Sequence, residues 1–502
     1  MMTIPGSRFQ VLLAVVAILA ATSGVVPRPA LAEDDPRIRS YEQQLEHMQH
    51  QMDELRNRLR ALEEERGMSP SRASDSAGGA AVPARAAEPA PAHPAEAGGA
   101  PVAAASPATT TQDRKIDVLA HEVEALKSRL VLPEGKALKS YYGFGPAASK
   151  VYGSDRGLSI GGYGEFNFQK FVDDQQDRHG QFDVARFVLY TGYKFTDRII
   201  LNSEIEFEHA VVAGDKDGEA EVEFVNLDFL AWQPLNFRLG LLLVPMGFIN
   251  EIHEPPFFYG VFRPEVEQRI IPTTWREGGV GIFGTLAPGL DYRAYATNGL
   301  NAKGFESEGI REGSQEGSLA RADSVAGTAR LDYAPIPGAL LGGSFFAGNA
   351  GQNQTFAGRK PDVFTLIWET HAQLRYRGLE LRALGAFTNI HDADLVSQDL
   401  GETIGKDQYG FYVEAAYDVV PLLFPASTHS FAPFFRYENF DTQDGVPRGF
   451  ARVPGNAVQL YTVGASYKPH PQVVLKMEYR DFDSGAKRPT PDEVNVGAGF
   501  VF

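Results

Sequence analysis

The chain contains no cysteine in 502 residues, which excludes disulfides and thiolate metal sites and is compatible with an envelope location. Beyond residue 32 it has no run of 18 apolar residues, so no mature transmembrane helix is expected, although alternating strands can cross a membrane without such a run. Positive charge is in deficit. With 47 Lys and Arg against 64 Asp and Glu the net charge is -17, which argues against nucleic acid as a partner. No nucleophile motif is present. Gly279-Val280-Gly281-Ile282-Phe283-Gly284 spells G-x-G-x-x-G but lies in a strand pattern with no helix after it, so a dinucleotide site is excluded by context. Glu251, His253 and Glu254 match no helical zinc spacing, and Glu369 with His371 reads as a pair of wall residues, so the expectation is no enzyme, no cofactor and no metal.

What the chain does have is organised in segments. Arg8, an apolar stretch from Val11 to Ala21 and Ala30-Leu31-Ala32 form a secretory signal peptide over 1–32, with the mature chain expected to start at Glu33. Ile38, Tyr41, Leu45, Met48, Met52, Leu55, Leu59 and Leu62 alternate spacings of three and four. That is the a/d seam of a coiled-coil helix over 33–66. Residues 67–112 are Ala, Pro, Gly and Ser and read as a disordered linker. Ile116, Leu119, Val123, Leu126 and Leu130 form a second short heptad in 113–132, stopped by Pro133 and Gly135, and 133–156 is a connector.

From Gly157 the period changes to two. In one strand Ala185, Phe187, Leu189, Thr191, Tyr193 and Phe195 share a face opposite Arg186 and Lys194; in the next, Ile199, Leu201, Ile205 and Phe207 oppose Asn202, Glu204, Glu206 and Glu208. Sixteen such strands fit between 157 and 502, joined by seven mostly short turns and eight long loops in strict alternation. The fold class is therefore all-β, a 16-stranded antiparallel transmembrane barrel preceded by coiled-coil helices and an Ala/Pro-rich linker. Apolar-face aromatics gather at the short-turn end (Tyr193, Phe195, Tyr333, Tyr376, Tyr417, Tyr467, Phe502) as an interfacial girdle. Two strands, 219–233 and 457–469, fit the alternation poorly, and bulges are the expected reason. The closing run Val494, Val496, Ala498, Phe500 and Phe502 resembles the last strand of bacterial outer-membrane barrels, in which a C-terminal Phe belongs to the assembly signal.

Loop 245–277 is too long and too apolar to stand in solvent: it holds Pro255-Pro256-Phe257-Phe258-Tyr259, Ile270-Ile271 and Trp275. It is expected inside the barrel as a constriction carrying Glu251, Glu254, Arg263, Glu265, Glu267, Arg269 and Arg276. Wall positions on the inward parity include Arg186, Arg238, Arg293, Arg330, Arg375, Arg382, Arg436 and Arg480, interleaved with acids. Two readings stay open: a mixed wall sets up a field across a pore, or its charges pair and stiffen the lumen.

The whole chain resembles the phosphate-selective porin O and P family, on its signal peptide, N-terminal helices, sixteen-strand pattern, C-terminal Phe, and Pro245-Met246-Gly247-Phe248 leading to Trp275-Arg276-Glu277-Gly278-Gly279. The resemblance implies a homotrimeric outer-membrane channel for the passive diffusion of small solutes, with phosphate-like anions guided by an arginine ladder. The wall arginines would form that ladder, but the loop has glutamates and no lysine where the family lines its constriction with lysine. Expected partners are outer-membrane lipid and the barrel assembly machinery, with the helices in the periplasm reaching toward the cell wall. A second class remains: an envelope tether in which the barrel mainly anchors the coiled coil.

Overall fold

The computed structural model describes residues 139–154, 156–172, 178–214, 216–486 and 490–502. The expected signal peptide, both heptad helices and the Ala/Pro linker lie outside the described residues. Sixteen strands follow one another: β1 (Gly157–Val172), β2 (Gln181–Lys194), β3 (Ile199–Glu208), β4 (Ala220–Trp232), β5 (Leu235–Leu243) and β6 (Arg276–Ala287). The middle set is β7 (Leu290–Asn298), β8 (Val325–Tyr333), β9 (Ala339–Asn349), β10 (Phe364–Tyr376) and β11 (Leu379–Ile390). The last are β12 (Asp407–Tyr417), β13 (Ser430–Gly445), β14 (Ala457–His470), β15 (Val473–Ser484) and β16 (Asp492–Val501). Each pairs antiparallel with its sequence neighbours, and β1 pairs with β16, so the sheet closes and has no edge.

Strand number and order agree with the sequence pattern; some boundaries differ. β3 stops at Glu208 rather than at 212, β13 runs on to Gly445, and β6 begins at Arg276, so Arg276 and Glu277 belong to the wall and not to the loop. Among the two-residue turns, Arg377-Gly378 has both residues with positive φ (48° and 86°), the hairpin geometry whose twist suits its flanking strands.

Side-chain polarity is the reverse of a soluble sandwich. Leu158, Ile160, Phe168, Phe187, Val280, Phe345, Val463 and Met477 are exposed on the outside, while Glu204, Asp228, Arg436 and Glu438 are buried inside. Two apolar clusters interrupt the polar interior. One joins Met246, Val266, Ile270, Ile271 and Trp275 of the long loop to Leu300, Phe305, Phe346 and Tyr412. Each fully buried large side chain there contributes about 1.5–3 kcal/mol, which fixes the loop inside the barrel. The other joins Phe144, Ala147 and Ala148 to Tyr163, Tyr190 and Phe224. The segment expected as a plain connector is thus packed in the barrel mouth: Ser140–Ser154, with its short helix Lys150–Gly153, lies against the ends of β1, β2 and β3 nearest the short turns.

The two irregular strands have different causes. Across β3–β4 the register passes from Glu204↔Phe224 to Ile205↔Val222, so Glu223 is an extra, bulged residue. Glu223 and Phe224 are consequently both buried inside. β14 has no bulge between Val458 and Tyr467. Its inward positions Val458 and Leu460 are simply apolar, and Val458 packs on the loop cluster.

Candidate functional site

The long loop enters the barrel after Leu243 and leaves at Trp275. Asn250 ties its two ends: its side-chain amide donates to the carbonyls of Val244 and Trp275 (2.6 and 2.9 Å) and accepts from Trp275 N (2.6 Å). Glu267 accepts from the backbone N–H of Phe248 and Ile249 (both 2.8 Å) and from the Tyr412 hydroxyl (2.7 Å). The far wall holds the loop's backbone. Arg382 donates to Phe257 O (2.9 Å), Lys476 to Gly260 O (2.8 Å) and Arg330 to Gly247 O, while Glu478 and Glu438 accept from Val261 N and Val266 N (2.8 and 3.1 Å).

Between loop and wall at the short-turn end lies a cavity of 520 Å³. It is lined by Arg293, Arg330, Arg375 and Arg382, by the acids Glu251, Asp291 and Asp332, and by Tyr141, Tyr142 and Phe248. A second space of 190 Å³ at the long-loop end touches Glu265, Arg269, Arg480 and Glu493.

Every one of the eight arginines expected on the wall has a carboxylate within hydrogen-bonding distance. Arg293 meets Glu251 (2.9 Å) and Asp332 (2.6 Å), and Arg330 meets Asp332 (2.8 Å). Arg375 and Arg382 share Glu380 (2.9 and 2.6 Å). Arg436 meets Glu438 (2.8 Å) and Glu414 (3.2 Å); Arg480 meets Glu265 (2.6 Å) and Glu493 (3.2 Å). Arg186 lies among Glu165, Glu206 and Glu208 at 2.9–3.4 Å. Arg238 forks onto Asp228 (2.7 and 2.8 Å) between the rings of Phe144 and Phe283, behind the cavity lining rather than in it.

The loop residues divide by role. Glu251 faces the cavity, and burial pushes its carboxyl up against the opposing pull of Arg293 and Arg330. Glu265 is held below the usual carboxylate range: burial acts against ionisation, but Arg480 and Arg269 outweigh it. Glu254 is buried against the Ser140–Ser154 segment, accepting from Ala147 N (3.3 Å), and burial pushes it up to about 7. Arg263 donates to Thr274 Oγ1 (2.9 Å) and Arg269 meets Glu265 and Glu308 (3.3 and 2.5 Å), while Arg276, expected in the loop but found in β6, meets Glu221 and Glu316 (2.5 and 3.4 Å). At the seam Phe502 and Gly162 exchange both backbone hydrogen bonds, 2.8 and 3.0 Å, and Phe500 stacks near Phe502.

Sequence reasoning missed Asp332 as the shared partner of two arginines, Glu223, which reaches the interior through its bulge, and the Tyr141–Tyr142 edge of the cavity. The first had a signal, since Arg330 and Asp332 are two apart on one strand; for Glu223 the broken alternation of 219–233 signalled a bulge but not its position, and the tyrosines had none.

No family model matches the chain. A protein of Aquifex aeolicus described as "Uncharacterized protein" is 38% identical over 369 residues, spanning 70% of this chain and 82% of that protein. Among solved structures, a loop-deletion mutant of OmpT, an outer membrane protein of Vibrio cholerae, aligns with TM-score 0.45 at 12% identity, over 69% of this chain and 100% of that one. Salmonella typhi OmpF in complex with daunomycin aligns at 0.45 and 12%, over 69% and 97%. An anion-selective porin from Comamonas acidovorans aligns at 0.43 and 13%, over 69% and 99%.

Proposed function

We propose that this chain, which belongs to one family with the Aquifex aeolicus protein, is an outer-membrane channel for the passive diffusion of small hydrophilic solutes and ions. The observation that carries this reading is the 520 Å³ charged cavity enclosed between the barrel wall and an inward loop, inside a cylinder whose outer face is apolar. A barrel used only as an anchor has no need of a loop fastened so thoroughly across its interior. The outward Leu, Phe and Val side chains suit lipid contact, and exposed Tyr193, Phe195, Tyr333, Tyr376 and Phe502 suit the membrane interface.

The short turns, whose mouth Ser140–Ser154 occupies, would face the periplasm, and the N-terminal helices expected from the sequence would lie on that side. Homotrimer formation and insertion by the barrel assembly machinery, with Phe500 and Phe502 in the recognised strand, complete the reading. For the solute, the cavity offers four arginines, each paired with an acid. Opposed charges weaken the potential along the axis and strengthen the field across it, so selectivity for anions is slight and phosphate is not strongly preferred.

The test is conductance in a planar bilayer. Purified protein should give discrete steps, a small reversal potential toward anions in a salt gradient, and little block of chloride current by phosphate. Protein that inserts and never conducts would overturn the channel; strong phosphate block would overturn the selectivity.

A further inference from the structure

The interior holds one group of side chains that the channel reading does not use. His253 of the inward loop points its Nε2 at Glu204 of β3 (3.4 Å to Oε1) and at Glu223 of β4 (3.7 Å to Oε1). One ligand atom from each lies within 4.8 Å of the other two. All three residues are buried, at 2% exposure or less.

The hydrogen bonding around this group is one-sided. His253 Nδ1 is 3.3 Å from the carbonyl of Asn250, an acceptor only, so a neutral imidazole with its proton on Nδ1 turns the Nε2 lone pair toward the two carboxylates. Asn250 is itself held by three hydrogen bonds across the loop base, which fixes the imidazole. Both oxygens of Glu223 and Oε2 of Glu204 accept no hydrogen bond. The ion pairs of the neighbouring cations lie elsewhere, Arg186 with Glu165, Glu206 and Glu208 and Arg276 with Glu221 and Glu316, while Arg263 bonds Thr274 through one nitrogen and hydrogen-bonds none of the three. Three lone-pair donors therefore converge in a buried place where the Tyr190 hydroxyl lies beside Glu204 and, among the described residues, no donor is aimed at Glu223, an arrangement that costs several kcal/mol unless a cation or protons fill it.

The backbone is shaped for the same result. Glu223 is the extra residue of the β3–β4 bulge; without it, regular alternation would not place Glu223 and Phe224 both inward. Bulges re-aim side chains in this way beside functional sites.

We propose that Glu204, Glu223 and His253 form a site for a divalent transition-metal cation that clamps the inward loop to the β3–β4 wall. Metal–nitrogen and metal–oxygen bonds of about 2.0–2.2 Å in tetrahedral geometry separate neighbouring ligand atoms by roughly 3.3–3.5 Å. The observed 3.4 and 3.7 Å need little adjustment. Two carboxylates with one imidazole suit zinc, cobalt or manganese rather than magnesium or calcium, which take oxygen ligands alone. The Asn250 carbonyl on the far nitrogen is the orienting contact such a histidine requires.

The experiment uses the full chain folded in detergent, stripped with chelator, and titrated with Zn²⁺ and Co²⁺ by calorimetry and visible absorbance. One equivalent should bind per chain, with cobalt bands in the visible. Glu223→Gln and His253→Gln should each weaken binding by at least about tenfold, while His371→Gln, at a histidine elsewhere in the lumen, should leave it unchanged. Heat-modified mobility on gels establishes that each variant is folded, and either of the two site variants suffices if the other fails. Absence of a stoichiometric site in the parent overturns the proposal and makes the cluster a set of protonated acids. Undiminished binding in a folded Glu223→Gln or His253→Gln variant overturns it equally.

Discussion

Arg293 and Arg330 stand directly opposite each other across the β7–β8 ladder, and both guanidinium groups reach the same carboxylate, Asp332, at 2.6 and 2.8 Å. Like charges facing each other across strands repel. Here the inward loop supplies a second acid, Glu251, 2.9 Å from Arg293 and 3.8 Å from Arg330. Loop position and wall charge are therefore coupled: moving Glu251 away would leave two cations sharing one anion at the cavity wall.

This coupling predicts the behaviour of a double-mutant cycle. Arg293→Gln removes one positive charge and leaves Glu251 underpaired, so reversal potentials in a salt gradient should shift toward cations, most at low salt where screening is weak. Breaking a buried pair costs about 3–5 kcal/mol, so the gel-shift temperature of the folded barrel should fall. Adding Glu251→Gln should recover part of both effects. If the single variant keeps the parent's reversal potential, Arg293 is a structural partner with no influence on permeating ions.

Loop anchoring gives a second expectation. Glu267 satisfies two buried backbone N–H groups and the Tyr412 hydroxyl. In Glu267→Ala those donors lose their acceptor, at roughly 1–3 kcal/mol for each one left unsatisfied. The loop should then sample positions nearer the axis or the wall, and single-channel records should show larger current fluctuations than the parent. Records as quiet as the parent's would show that the apolar cluster around Trp275 alone holds the loop.

Most of the barrel was legible because period-two alternation survives wherever one face is apolar and outward and the other carries charge inward. The inward loop was legible from its apolar content, since Ile270, Ile271 and Trp275 had to pack somewhere. What was not legible depends on register or on partners far away in sequence. A single bulge turns Glu223 inward, and alternation cannot be read through it. The Ser140–Ser154 segment carries no period at all; it finds its place by fitting Phe144 beneath Arg238 and Ala147 against Glu254. Wall arginines could be enumerated from parity, but their pairing with Glu251 and Glu265 required the loop's path.

The barrel seam makes a third expectation. Gly162 and Phe502 exchange backbone hydrogen bonds, and the Phe502 ring covers the small Gly162 on the outer face. Phe502→Asp puts a charge on a lipid-facing position near the interface and uncovers that glycine. The amount of folded protein recovered from the outer membrane should fall, while inserted molecules keep the parental conductance. Equal recovery of variant and parent would separate Phe502 from assembly.

The final expectation concerns pH and the mouth segment. Glu254 lies buried with Ala147 N donating to it, and burial holds its carboxyl at about 7 against an ordinary 4.5. Because the folded value is raised, its stabilisation is fully present below the ordinary value. It declines as pH rises and is lost on passing about 7. Above that point a charge sits at the buried contact between the loop and Ser140–Ser154. The segment should loosen, so conductance should be greater at about pH 8 than at about pH 5, with the change centred near the carboxyl's own titration. Glu254→Gln keeps the shape and removes the titration, so its conductance should be flat across the same range. A pH step that persists in this variant would assign the effect to another group and leave the mouth segment insensitive to Glu254.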